Sequence, residues 1–267
     1  HGMFSHQLNA LRSCYAIQPG EIDLPTFPLF ALFGVGMGMT SILPEMDFTR
    51  PVQVDPEKLL RTICDHKVTS GFGSPALWDT VSRFCLKHDR CMPSMKRILM
   101  AGAPIPGSLL KRFDCILKPE AKIYTPYGAT ESLPVASIER QEVLEDTFKE
   151  TQEGRGICVG RVVPGIEARA IRISDDPIVQ WTDELELQPG EIGEIIVKGP
   201  WVTRCYFNRD DQTQFAKIEE EDSFWHRMGD VGYFDEKNRL WFCGRKNQRI
   251  RTSNGTLFTI PCEAVFN

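Results

Sequence analysis

Between residues 22 and 124, short apolar runs alternate with longer helix-patterned runs, and this alternation restricts the fold more than any other feature. Ile22 to Phe30 is apolar with two prolines and reads as a strand running into a loop. Thr40–Leu43, Val68–Phe72, Ile98–Met100 and Lys122–Tyr124 read as further short strands. A helix over 6–17, stopped by Pro19-Gly20, precedes them. Asp55 is placed to cap a helix through His66 that carries Leu59, Leu60 and Ile63 on one face. Ser74 caps another, led by Pro75, with Leu77, Val81, Phe84 and Cys85 at helical spacing. Pro106 to Ile116 reads as a third. Strands that alternate with helices are joined by crossovers, and crossovers make the strands parallel.

The pattern changes after about residue 150. Ile166–Ile173, Glu194–Val197, Tyr233–Phe234 and Leu240–Cys243 read as strands, punctuated by Pro164-Gly165, Pro189-Gly190 and Gly199-Pro200. This reads as a small, mostly antiparallel barrel or sandwich. The expected fold class is therefore α/β: a parallel-sheet αβ half over residues 1–150, then a small β-rich half over 151–246.

The 267 residues suffice for a sizeable core. A formal charge of −5 leaves no basic footprint for nucleic acid. The nine cysteines are odd in number and show no Cys-x-x-Cys spacing, which reads as reduced thiols in a cytoplasmic protein. The five histidines are scattered, and no apolar run reaches the length of a membrane span. The chain opens on His1-Gly2-Met3 and closes on Ala264 to Asn267, inside what reads as a helix start, so a piece of a longer protein is expected.

Four short motifs carry chemistry. Tyr124 to Glu131 reads YTPYGATE, a Tyr-Pro-Tyr-Gly turn just beyond a strand end, where open α/β sheets bind ligands. Its aromatic ring can lie against a flat base, the Thr130 hydroxyl can donate to a phosphate, and the Glu131 carboxylate can hold a hard cation such as Mg²⁺. Met100-Ala101-Gly102-Ala103-Pro104 follows the strand at Ile98 and lets the backbone approach a flat ligand. Met228-Gly229-Asp230-Val231-Gly232 reads as a Gly-Asp turn able to present a carboxylate to vicinal hydroxyls. Leu240 to Arg245 is a strand ending in Gly-Arg, and Arg245 offers a fixed charge to a sugar or phosphate. Each motif alone is also compatible with an ordinary loop.

Taken in order, and with Gly190 to Glu194 (Gly-Glu-x-Gly-Glu) between them, these motifs resemble the adenylate-forming enzymes: acyl- and aryl-CoA ligases, firefly luciferase and peptide-synthetase adenylation domains. The resemblance covers almost the whole chain. It implies an ATP- and Mg²⁺-dependent ligase or synthetase that makes an acyl-AMP. It implies that Gly102, Ala103, Pro104 and Tyr127, with Gly128, line the adenine. Thr130 then contacts the α-phosphate, Glu131 the Mg²⁺, and Asp230 and Arg245 the ribose. Thr130 and Glu131 are the implied catalytic pair. The family's hinge position falls on Asn247, where Asp or Lys is usual. Ala31 stands where a His often gates the acyl site.

The wording DLPTFPLFALFG, FGSPAL, AGAPIP, YTPYGATESLPVA and HRMGDVGYFD is similar to one branch, the β-lactone synthetases of bacterial olefin biosynthesis. That implies a 2-alkyl-3-hydroxy fatty acid as substrate, no CoA, and partner enzymes of a lipid or olefin pathway. A fatty-acyl-CoA ligase is the alternative, and a non-catalytic nucleotide-binding module a second. The family's phosphate loop and most of its C-terminal lid find no match here. The resemblance thus implies an incomplete adenylate-forming large domain with a distorted barrel, a lid stub over 247–267, and no turnover by this chain alone.

Overall fold

The computed structural model describes residues 2–253 and 255–266. Contacts gather into two compact units that do not follow chain order: Leu11–Pro126 with Glu139–Glu145, and His1–Ala10 with Tyr127–Ile138 and Asp146–Asn267. We call them the αβ unit and the β-rich unit. The helix α1 (Gly2–Cys14) runs from the second into the first.

The αβ unit continues through β1 (Ile22–Pro25), α2 (Ala31–Gly36), β2 (Thr40–Ser41), α3 (Pro56–Asp65), β3 (Ser70–Gly73), α4 (Pro75–Lys87), β4 (Arg97–Met100), α5 (Gly107–Arg112), the start of β5 (Lys122–Ala129) and α6 (Arg140–Glu142). The strands lie in the order β2-β1-β3-β4-β5, and every pair is parallel. The capped helices form for the reasons legible in the sequence. The Asp55 carboxylate accepts from the backbone N–H of Glu57 and Lys58, both at 3.1 Å. The Ser74 hydroxyl accepts from Leu77 N–H at 3.3 Å. In each case a proline follows at the first helical position, where no N–H is needed. Leu59, Leu60 and Ile63 of α3 and Leu77, Trp78 and Val81 of α4 are buried with Leu24, Ile98, Met100 and Ile123 of the sheet.

One register row of this sheet is polar: Ser41, Asp23, Ser70, Arg97 and Lys122 pair in sequence across it. Arg97 is satisfied by Glu21 Oε2 at 2.8 Å and by the Tyr15 carbonyl at 2.8 Å. Burial pushes the Asp23 carboxyl up to about 7, although the Ser70 hydroxyl and the Arg97 charge pull the other way.

The β-rich unit takes up the chain within β5. It holds β6 (Ser132–Glu139) up to Ile138, α7 (Phe148–Gln152), β7 (Ile157–Val162), β8 (Glu167–Ile171), β9 (Gly193–Lys198), α8 (Asp210–Ala216), β10 (Lys217–Glu220), β11 (Ser223–Phe234) and β12 (Leu240–Arg245). The hairpin β13 (Ile250–Thr252)/β14 (Gly255–Leu257) and α9 (Thr259–Phe266) complete it. Strand order is β6-β7-β12-β11-β9-β8, antiparallel throughout, with β10 added to β11. Ile171, Ile196, Ile218 and Trp225 form one buried cluster of this unit. No described helix is long and apolar enough to cross a membrane.

Two local expectations change. The Tyr-Pro-Tyr-Gly segment is not a turn beyond a strand ending at Tyr124. The strand persists to Ala129, and the reversal is confined to Thr130 and Glu131. The strand needs glycine at 128, where a Cβ would stand 2.6 Å from the Ser132 carbonyl oxygen of the returning strand. The Gly-Asp segment is likewise not a turn. It sits inside the twelve-residue strand β11 as a bulge.

Candidate nucleotide-binding site

The strand pair β11/β12 builds the first part of the site. Asp230 and Arg245 are direct register partners. Against β9, β11 is irregular: Arg227 pairs with Ile196 and Val231 with Glu194, so Met228, Gly229 and Asp230 bulge out of the ladder. Gly229 takes φ +69°, the left-handed conformation that glycine adopts without strain.

Asp230 is 4% exposed. Its Oδ1 accepts from Arg245 Nη1 at 2.8 Å, and its Oδ2 from the Tyr127 hydroxyl at 2.7 Å. Burial pushes this carboxyl up, and the Tyr127 and Arg245 donors oppose that. The Tyr127 phenol is driven well above its ordinary range by burial and by the charge of Asp230, so it stays a donor. Its ring rests against Phe242 at 5.9 Å between centroids. Each carboxylate oxygen has two acceptor positions. These two bonds use one such position on each oxygen.

The turn after β5 builds the second part. Thr130 is exposed and Glu131 half-buried. Glu131 Oε1 accepts from the Tyr206 hydroxyl at 2.8 Å, and its backbone carbonyl accepts from Thr203 N–H at 2.9 Å. Burial would raise the Glu131 carboxyl, but the Tyr206 donor, its own backbone N–H and the Lys217 charge outweigh it and hold it below its ordinary value. Tyr206 is correspondingly pushed up to about 12 by burial and by Glu131. Lys217 Nζ donates to the Thr203 carbonyl and lies 3.1 Å from His226 Nδ1. Burial lowers Lys217 to about 8 and, with the Lys217 charge, His226 to about 4. The imidazole is therefore neutral near pH 7, with Nδ1 placed between Lys217 Nζ and the Ala216 carbonyl at 3.2 Å.

These two parts share one unit, and the Glu131 charge adds to the upward push on Asp230. The structure thus brings together Tyr127, Asp230 and Arg245, and gathers Tyr206, Lys217 and His226 around Glu131. Gly102, Ala103 and Pro104 form an exposed loop after β4 in the αβ unit, with Gly102 at φ +99° and open space where a Cβ would project. Asn247 lies in a 3-10 turn, Lys246–Gln248, directly after β12.

Behind the bulge lies a buried pair absent from the sequence reading. Arg227 Nε and Nη2 donate to the two oxygens of Glu194 at 3.1 and 2.7 Å, and Lys246 Nζ adds a third contact at 3.0 Å. Glu194 is fully buried, so this fork pins β9 to β11 next to Asp230 and to the residue following Arg245.

The site suits a metal that the protein only partly encloses. Among the described residues, no group of three or more His, Cys, Asp or Glu could hold a metal ion. Glu131 offers a half-buried, ionised carboxylate with Oε1 fixed by the Tyr206 hydroxyl. That fits Mg²⁺, which keeps waters and binds through one or two carboxylates plus substrate phosphates.

Residues 2–207 match the model of the AMP-binding enzyme family. The chain belongs to that family. Among curated AMP-binding relatives, the olefin β-lactone synthetase of Stenotrophomonas maltophilia is 47% identical over the whole of this chain and 48% of its own length. That of Xanthomonas campestris pv. campestris is 46% identical over the same shares. The chain thus spans about half the length of the curated relatives it matches. The O-succinylbenzoate coenzyme A synthetase of Bacillus subtilis, solved with ATP and magnesium ion, superposes with a TM-score of 0.75 at 22% identity, over 96% of this chain and 48% of that one. At that identity the likeness shows the fold: an α/β architecture shared with an adenylate-forming large domain.

Proposed function

We propose that this chain supplies the nucleotide-holding part of an ATP-dependent enzyme that activates a long-chain 2-alkyl-3-hydroxy fatty acid as acyl-AMP and then closes a β-lactone. The observation that carries the adenylation reading is the Tyr127–Asp230–Arg245 cluster: a buried carboxylate held by two donors, with acceptor positions to spare, in one unit with the Thr130–Glu131 turn. The lactone outcome is supported by two olefin β-lactone synthetases at 46–47% identity across the chain.

In this reading Asp230 accepts from the two ribose hydroxyls, and Arg245 and Tyr127 fix the carboxylate's orientation. Tyr127 and Gly128 are assigned to the adenine. Thr130 donates to the α-phosphate, and Glu131, held by Tyr206, supplies one oxygen to Mg²⁺. The bound metal contributes charge neutralisation at the phosphates. An oxygen of the substrate carboxylate bonds to the α-phosphorus and pyrophosphate leaves. The substrate's own 3-hydroxyl oxygen then bonds to the acyl carbon, its proton is released, and AMP departs. The chain's part in both steps is positioning and fixed charge. Nine scattered cysteines support a cytoplasmic setting.

The test is to supply the full encoded chain with ATP, Mg²⁺ and a 2-alkyl-3-hydroxy fatty acid, without CoA. Lactone with equimolar AMP and pyrophosphate is expected. Product formed only with CoA, as a thioester, would replace the lactone reading with an acyl-CoA ligase. No nucleotide turnover with any carboxylic acid would overturn adenylation itself.

A further inference from the structure

Lys217 is buried, 6% exposed; among the described residues no carboxylate lies within ion-pair distance of it, and the Glu131 charge acts on it through space. Placing an ammonium there is costly unless its hydrogens are taken. The carbonyl of Thr203 takes one, and the Phe224 ring lies 5.0 Å from Nζ. His226, the partner of Lys217 across the β10/β11 ladder, sets Nδ1 3.1 Å from Nζ and 3.2 Å from the Ala216 carbonyl. Thr203 in turn donates its N–H to the Glu131 carbonyl, and Tyr206, three residues on, donates its hydroxyl to the Glu131 carboxylate. The Tyr206 N–H is itself held by Thr213 Oγ1 at 3.0 Å. Residues 203–206 therefore grip Glu131 at backbone and side chain, and Lys217 anchors the far side of that grip.

We propose that Lys217, seated against His226, is a positioning residue: it locks residues 203–206 around Glu131 and so fixes this carboxylate for the magnesium complex of the nucleotide. The proposal rests on the adenylation reading above. Supports of this kind, one step removed from a metal, are worth about 10–100-fold in metal affinity.

The test measures ATP binding by calorimetry at stepped Mg²⁺ concentrations, and AMP binding without metal, in the full encoded chain. Lys217→Met is expected to raise the Mg²⁺ needed for half-maximal ATP binding about tenfold and to leave AMP affinity within about twofold. Glu131→Gln should do at least as much. In the Glu131→Gln background, Lys217→Met should add less than about twofold, because coupled residues are not additive. Lys217→Gln, which keeps a donor but no charge, should fall between Met and wild type and serves if Lys217→Met does not fold. Equal loss of AMP and Mg·ATP binding would reduce Lys217 to a structural part, and an unchanged Mg²⁺ requirement would likewise overturn the proposal. No effect of Glu131→Gln on that requirement would instead overturn the assignment of Glu131 to the metal, and the proposal with it. In the unmodified protein the Thr203 amide should exchange slowly with solvent, and exchange at the rate of an open loop would refute the grip whatever the variants do.

Discussion

Replacing Tyr127 by Phe removes a single oxygen from the candidate site. That oxygen donates at 2.7 Å to a carboxylate that is 4% exposed. A hydrogen bond to a charged group contributes about 1.5–3 kcal/mol net, so a loss of about 2 kcal/mol is expected where Asp230 is ionised. The pH dependence has a definite sign. Burial already raises the Asp230 carboxyl, and losing a donor raises it further. Over the window between the unfolded and folded values the variant's native state holds the extra proton, so its stability falls as pH rises through that window. The penalty is largest at pH 8 and smallest below pH 4.

A double-mutant cycle isolates the bond: Tyr127→Phe, Asp230→Asn and the pair, unfolded in urea at pH 8. Tryptophan fluorescence reports mainly the β-rich unit, which holds Trp181, Trp201, Trp225 and Trp241, while Trp78 lies in the other unit. The expected coupling is about 1.5 kcal/mol or more. Independent sites add to within about 0.5 kcal/mol, so a coupling below that refutes the bond as a stabilising contact.

Arg227→Met leaves the fully buried Glu194 with Lys246 alone and should cost about 3–5 kcal/mol, read as a lowered urea midpoint, with much of the loss recovered when Glu194 is made Met as well. Gly128→Ala places a methyl group 2.6 Å from the Ser132 carbonyl oxygen, so a loss of about 1–3 kcal/mol and weakened nucleotide binding are expected by thermal shift and calorimetry. Asp23, raised from 3.8 to about 7, binds its proton more tightly folded than unfolded, so its presence lowers stability as pH climbs from 4 to 7. Asp23→Asn should remove on the order of 3 kcal/mol of that loss between pH 4 and 7, and an unchanged pH dependence would show that the carboxyl is not desolvated as described.

The sequence displayed what depends on neighbours in the chain. Asp55 and Ser74 cap helices because cap, proline and first-turn N–H groups are contiguous. It hid what depends on pairing across strands. Tyr127 and Asp230 meet at a separation of 103 residues, and only motif order hinted at it. The Lys217–His226 pair had a nearer signal. A two-residue reversal at Glu221-Asp222 sets them opposite each other, but Glu-Asp is a poor hairpin turn and Glu221 must adopt φ +40°. Glu194 is buried as an ion because Arg227 and Lys246 come from two other segments, a coincidence that no window of sequence displays. The Gly-Asp segment misled for a different reason: glycine at positive φ marks turns and bulges alike, and only the long ladder on both sides of Gly229 decides between them.

The bulge in β11 also sets what lengths of chain this strand can accept. From Arg227 to Val231 the strand advances four residues while β9 advances two. The surplus is even, so inward and outward positions resume in phase beyond it, and Trp225 and Val231 are both fully buried. Removing one residue between Met228 and Asp230 would reverse the facing of every later side chain in the strand and turn the core inside out there. Removing Met228 and Gly229 together would keep the phase and leave a plain ladder, with the carboxylate of residue 230 no longer lifted out of the sheet. Parity, more than composition, is what separates a fatal deletion at this point from one that spares the fold and removes the candidate nucleotide site.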